Sequence, residues 1–300
     1  MTGWLAAASG GIDDVAERPG LWLPAALGWI GTVGWIPLVA GVARPPTTSE
    51  LTYAGQAIFS SGSWPWNAVA LGVAAVGVLL VALALAAYGD ASLIRRLALQ
   101  PRPSLEQVEG AASVQLVAVA PAIAVLIAAS TTLVVIGPQE FNAPSGALPP
   151  VVRVALRLWP YLAAAVILVL AGSAWGAAAV RLGLATDRFG RSALAAPQRL
   201  LETAPASVVQ TIVGPVVGGL YLVVATALLR VLWAPIEVQL GSGIDAAPLL
   251  LLVGFVAIWL CLVLGGGALR AWSCATWSRL LAAEPSTDQQ PATRERPIDR

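Results

Sequence analysis

The chain has 300 residues, of which 58% are hydrophobic and 11% charged, a balance outside that of soluble domains, so lipid is the predicted solvent for most of it. All 17 basic residues are arginines and 16 acids nearly cancel them, leaving a net charge of +1, so no basic surface points to nucleic acid as a partner. Histidine is absent, which removes the commonest general base and the commonest transition-metal ligand together.

Residues 1–20 carry no positive charge before Arg18 and no short apolar core followed by a cleavage site, so no signal peptide is read there. Trp4, Leu5, Ala8, Ile12, Val15 and Ala16 recur at helical spacing, with Asp13, Asp14 and Glu17 mostly off that face. The pattern predicts a short helix lying on the membrane surface.

Six apolar runs follow, near 21–42, 66–94, 111–137, 153–181, 207–233 and 247–278. Each covers the roughly 20 residues that a helix needs to cross hydrocarbon. The first, third and fifth contain Pro24, Pro121 and Pro215, 97 and 94 residues apart. A proline inside a spanning helix frees a carbonyl and predicts a kink packed within protein. An acidic, partly amphipathic lead-in precedes each: IDDVAERPG, SLEQVEGAAS and APQRLLETAPAS. The second, fourth and sixth runs close on ribbons of small residues ending in arginine: AAYGDASLIRR at Arg95 and Arg96, AGSAWGAAAVR at Arg181, and LGGGALR at Arg270. Arg95, Arg181 and Arg270 stand 86 and 89 residues apart.

The expected architecture is therefore all-α: a polytopic integral membrane protein with six transmembrane helices as three pseudo-repeated helical hairpins, each with a short interfacial lead-in helix. One membrane domain over 1–283 holds the pseudo-repeats, about 1–98, 99–190 and 191–283, and 284–300 is a disordered cytoplasmic tail. The connections after the second and fourth runs hold seven arginines, against four in the other three, which predicts a cell-membrane protein with both termini cytoplasmic. Residues 43–65 read as an ordered outer loop, and Trp22, Trp159, Trp233, Trp272 and Trp277, near helix ends, as an interfacial belt.

Several residues are candidates for more than architecture. Arg95, Arg181 and Arg270 fall where hydrocarbon should end; they read as head-group anchors or, if they face the interior, as a shared anion site. Arg153 and Arg157 are i and i+4 on one face at the proposed outer side, with Glu140, Glu237 or Asp245 as partners, or lipid phosphate. Gln115 and Gln210 precede their prolines by six and five residues, which suggests hydrogen bonds to kinked backbone or a polar path for a solute. Gly172 and Gly176, like Gly214 and Gly218, are spaced for close helix packing, in the bundle or between two copies. Cys261 and Cys274 are thirteen residues apart on one helix, roughly 20 Å at 1.5 Å per residue, too far to bridge.

Carboxylates are missing from the centres of the runs, which counts against an ion-coupled pump. Without histidine there is no serine–histidine hydrolase and no HExxH zinc site. Tyr88-Gly89-Asp90 matches half of an intramembrane aspartyl protease signature, but Asp187, the nearest second aspartate, lies beyond its helix; Asp90 reads as a helix-end group near Arg95. No cofactor or metal site is predicted.

In its layout of hairpins, lead-in helices and arginine-bearing exits, the chain resembles, over about 1–283, the six-helix membrane domain attached to some glycerophosphodiester phosphodiesterases and its stand-alone relatives. The resemblance implies a membrane module without an established catalytic role, and no functional residue carries over. The expected function is a non-enzymatic scaffold or accessory module, with the lipid bilayer and an unidentified membrane or cytoplasmic protein as partners. The alternatives are a transporter or channel for a small or lipidic solute and, more distantly, an intramembrane enzyme.

Overall fold

The computed structural model describes residues 2–143, 148–240 and 246–282, and the described residues contain helices and no strand. The tail expected to be disordered, 284–300, lies outside the described residues, as does Asp245. The helices are α1 (Thr2–Glu17), α2 (Trp22–Trp29), α3 (Ile36–Val42), α4 (Thr48–Phe59), α5 (Trp66–Leu97), α6 (Leu105–Asn142), α7 (Pro150–Thr186), α8 (Phe189–Glu202), α9 (Ala204–Leu240) and α10 (Ala246–Leu281). Five are long and apolar enough to cross a membrane, and a sixth crossing is completed if the bent pair Pro19–Gly34 and Ile36–Val42 counts as one. Their surfaces fit that solvent. Val73, Val76, Val78, Leu80 and Val81 on α5 are all exposed, an apolar patch that lipid covers and water would not tolerate.

The first crossing is not the continuous helix that the apolar run suggests. A π-helical turn, Ile30–Gly34, separates α2 from α3, and the two parts meet at 48°. The break lies at Trp35, two residues before Pro37 in the first turn of α3, and not at Pro24. Pro24 occupies the third position of α2, where its missing N–H would have had no intrahelical acceptor anyway. Pro121 and Pro215 lie inside α6 and α9 but face outward, so the expectation of kinks packed within protein holds for neither.

The second lead-in is likewise no separate helix. Ser104 caps α6, its hydroxyl accepting from Gln107 N at 3.3 Å while Gln107 Oε1 accepts from Ser104 N at 3.2 Å, and the helix runs unbroken for 38 residues. The same device, Thr47 with Glu50, starts α4 inside the stretch expected to be only loop. Helices α5, α7 and α10 have 32, 37 and 36 residues, about 48 to 55 Å at 1.5 Å per residue, so they tilt or protrude from a hydrocarbon core of about 30 Å.

Small residues set the packing. Ala87, Ala91, Ala111, Ala178, Ala179 and Ala196 form most of one core among α5, α6, α7 and α8. A second joins Val15 of α1 and Ala25 of α2 to Leu93, Ala271 and Cys274, and a third, at the opposite end, joins Leu229, Ile236 and Phe255. A Cβ at Gly267 of α10 would stand 2.8 Å from Trp22 O and from Ala26 N, so only glycine admits α2 at this distance. Gly172 of α7 gives the same close approach to the Ala118 carbonyl of α6, within the chain.

Helix α1 lies against α10. Its predicted apolar face divides: Ala8 and Val15 are buried, whereas Leu5 and Ile12 stay exposed. This cover changes the tryptophans. Trp272 Nε1 donates to Ala8 O at 3.0 Å and Trp22 Nε1 to Val15 O at 3.1 Å, and Trp277 is buried, so these three hold the bundle together and do not form a belt. Trp159 does face outward.

Candidate functional site

Asp90 lies two turns before the end of α5, on the face that carries buried Ala86, Ala87 and Leu93. Gly89 beside it lets the backbone of α2 approach; a Cβ there would meet Pro24 O at 2.9 Å. Arg270 enters from α10 through a slot left by Gly28, where a Cβ would meet its Nε at 2.8 Å. Nε donates to Asp90 Oδ1 and Nη2 to Oδ2, both at 3.0 Å, the two-pronged geometry that holds a guanidinium and a carboxylate in one orientation.

Two neighbours complete the cluster. Arg270 Nη1 donates to Thr32 Oγ1 at 3.1 Å, and Thr32, in the π-helical turn, donates to Gly28 O at 2.9 Å. Gln115 Nε2 of α6 donates to Asp90 Oδ2 at 3.0 Å. That bond fixes the amide orientation, since the carboxylate must face the NH2 group, and it leaves Gln115 Oε1 buried with no donor among the described residues. One half-buried ion pair thus ties the first crossing to α5, α6 and α10.

The pair borders a cavity of about 350 Å³ enclosed by α5, α6, α7 and α10, into which Gln115, Arg181 and Ser273 also project. Arg181 lines a second cavity of about 530 Å³ at the end of the bundle that carries α1 and α8. On the other flank, Thr32, Arg270 and Ser273 also line a third, of about 310 Å³, against α9. With both oxygens engaged, Asp90 is poorly placed as a general base.

The arginines singled out by spacing part company. Arg181 and Arg270 share the first cavity, whereas Arg95 turns to the following loop and donates to Pro101 O at 2.8 Å. The reading of Asp90 as a group near Arg95 is corrected: its partner is Arg270. Asp187 caps α7 in a left-handed conformation and accepts from Gln107 Nε2 at 2.7 Å, so no aspartyl pair forms with Asp90.

Arg153 and Arg157 both reach Glu140, at 2.7 Å each, at the far end of α6 and α7. Gln210 is only 1% exposed; it accepts from Trp4 Nε1 at 2.9 Å and donates to Ser273 Oγ at 3.0 Å. Neither glutamine bonds to kinked backbone, since both find side-chain partners on neighbouring helices. Thr131, Thr132 and Thr211 donate to carbonyls of their own helices, and Thr132 Oγ1 also lies 3.3 Å from the Tyr161 hydroxyl. Cys261 and Cys274 are free. Among the described residues no three histidine, cysteine or acidic side chains converge as a metal site would require.

No known protein family, curated protein or solved structure matches this chain. Its site is therefore read from its own geometry. The pair Asp90–Arg270 was missed from sequence, although one signal existed: a lone acid and a lone arginine at similar depth in two spans that run in the same direction must find partners in lipid.

Proposed function

We propose that the chain is a non-enzymatic integral membrane module that scaffolds or assists a partner protein. The observation that carries this reading is that the strongly polar groups within the spans bind one another across helices: Asp90 takes Arg270 and Gln115, and Gln210 takes Trp4 and Ser273. Such struts stiffen a bundle and engage both oxygens of Asp90. Three pseudo-repeated hairpins over about 1–98, 99–190 and 191–283, and the likeness of layout to the membrane domain of glycerophosphodiester phosphodiesterases, support the same reading. The arginine-rich connections support a place in the cell membrane with both termini cytoplasmic. Helix α8 offers a contact surface there, with Leu194 and Leu201 exposed on one side.

Photo-crosslinkers at Leu194 and Leu201 in cells should trap a discrete partner, and the purified chain in liposomes should pass small anions and polar solutes no faster than protein-free liposomes. The second reading, a transporter or channel, is favoured by the three adjoining cavities and the undonated Gln115 Oε1. Flux that disappears in Arg270→Gln would replace the first reading with the second. Orientation is tested by Ser49→Cys in a background of Cys261→Ala and Cys274→Ala. Labelling should succeed on intact cells, and labelling only after permeabilisation would invert the topology.

A further inference from the structure

Arg181 is an arginine inside the bundle that meets no carboxylate among the described residues. It sits near the end of α7 on the helix face that carries buried Ala178 and Leu184, and it points into the bundle. Its acceptors are all neutral: Ala177 O at 2.8 Å, Cys274 O at 2.8 Å, Cys274 Sγ at 3.1 Å and Ser278 Oγ at 3.1 Å. A guanidinium has five N–H donors, so at least one on Arg181 has no acceptor among the described residues. An anchoring arginine would extend toward the head groups to solvate its charge. This one instead turns back to Cys274, one turn deeper in α10 than Ser278.

The 530 Å³ cavity that it lines carries two more arginines, and both are neutralised: Arg199 by Glu202 and Arg279 by Asp14, each at 2.9 Å. Among the described residues that line the cavity, Arg181 therefore keeps an unmatched positive charge; besides the paired Arg199, Arg279 and Asp14, the wall holds Ser278 and apolar residues such as Ile94, Leu97, Leu182 and Leu281. An unpaired charge in such surroundings is costly, and an anion entering the cavity removes that cost. The apolar lining would be left wet by a free inorganic anion and covered by an amphiphile. The planar guanidinium suits phosphate oxygens, which accept two parallel N–H bonds.

We infer that this cavity binds the phosphate group of an anionic phospholipid, with Arg181 as its principal contact and the apolar wall receiving the start of an acyl chain. Arg181 also borders the cavity beside the Asp90–Arg270 strut, but the inference does not depend on whether the chain scaffolds or transports.

The test uses the full chain, purified and delipidated in mild detergent, then titrated with phosphatidylglycerol, phosphatidylcholine or inorganic phosphate, with binding read by native mass spectrometry and by melting temperature. The wild-type chain and Arg95→Gln should retain one phosphatidylglycerol and bind phosphatidylcholine more weakly. Arg181→Gln should lose about tenfold in affinity, the worth of one charge-assisted hydrogen bond pair. Ala185→Trp, which leaves the guanidinium intact and fills the exposed mouth of the cavity, should lose a similar amount, and it decides the matter if Arg181→Gln does not fold. Equal retention by wild type and Ala185→Trp, or by wild type and Arg181→Gln, would overturn the inference. So would inorganic phosphate that displaces the lipid at millimolar concentration, which would make this a site for the free ion.

Discussion

Two carboxylates in this bundle each hold arginine, and they do so in opposite ways. Glu140, near the end of α6, receives Arg153 and Arg157 from the start of α7, thirteen and seventeen residues away in sequence, and Arg157 remains 59% exposed. Asp90 receives a single Arg270 from 180 residues away, with both side chains three-quarters or more buried, at 24% and 20% exposure. The first cluster fastens a hairpin that chain connectivity already holds together. The second fastens helices that nothing covalent keeps adjacent, so its loss should reach further.

The largest effect is expected at the second cluster. Asp90→Asn leaves a half-buried guanidinium that cannot shed its charge, at a cost of about 3 kcal/mol. Arg270→Gln should cost less, because Gln115 and the new amide can both still donate to the Asp90 carboxylate. Thermal unfolding in detergent should therefore rank wild type above Arg270→Gln and Arg270→Gln above Asp90→Asn. Equal losses for the two variants would mean that the pair does not act through its charge.

Next comes the contact that brings the pair together. Gly267→Ala places a methyl group against the Trp22 carbonyl and the Ala26 nitrogen, backbone atoms that cannot swing aside. Overpacking of this kind costs about 2 kcal/mol and should push α2 away from α10. A nitroxide pair on the two helices would report the separation. An unchanged distance with unchanged stability would show that the first crossing is not seated by this contact.

The contrast also explains what could be read in advance. Long apolar runs were legible because hydrocarbon requires about 20 of them in a row, a demand that any sequence shows on its face. Glu140 stood among the candidate partners of Arg153 and Arg157 because all three lie close together in sequence. The partner of Asp90 was not legible, since Arg95 is five residues away in sequence and Arg270 is 180. Only the rotation of α5 and α10 about their axes chooses between them, and small residues such as Gly28 and Gly89 set that rotation. The break in the first crossing was placed at the wrong proline for a related reason. Pro24 and Pro37 look alike in a string, and only the helix start at Trp22 shows that the former disturbs no hydrogen bond.

Glu140→Gln should have a smaller effect than Asp90→Asn, because Arg157 can turn to solvent and Arg153 keeps the carbonyls of Leu148 and Glu140. Salt sharpens the comparison. At about 1 M the screening length falls to about 3 Å, which should shrink the difference between wild type and Glu140→Gln and leave that of Asp90→Asn nearly intact. A salt response shared by both variants would make the two clusters equivalent after all.

The smallest effect belongs to a third carboxylate, on α4, outside the spans. Glu50 accepts from Thr47 N at 2.7 Å and from Thr47 Oγ1 at 2.9 Å, and Arg44 adds a bond of 2.7 Å. The backbone hydrogen bond from Thr47, then its hydroxyl and Arg44, hold the Glu50 carboxyl below its ordinary value of 4.5. A carboxylate shifted downward on folding contributes stability that is present above its unfolded value and lost as pH falls through its folded one. The start of α4 should therefore lose hydrogen-exchange protection, after correction for intrinsic rates, only on the acid side of the carboxylate range. Glu50→Gln preserves a neutral capping box, so its protection should be lower at neutral pH and flat on acidification. If the variant instead tracks the wild type through the acid range, the ionised side chain does not hold this helix end, and Thr47 alone caps it.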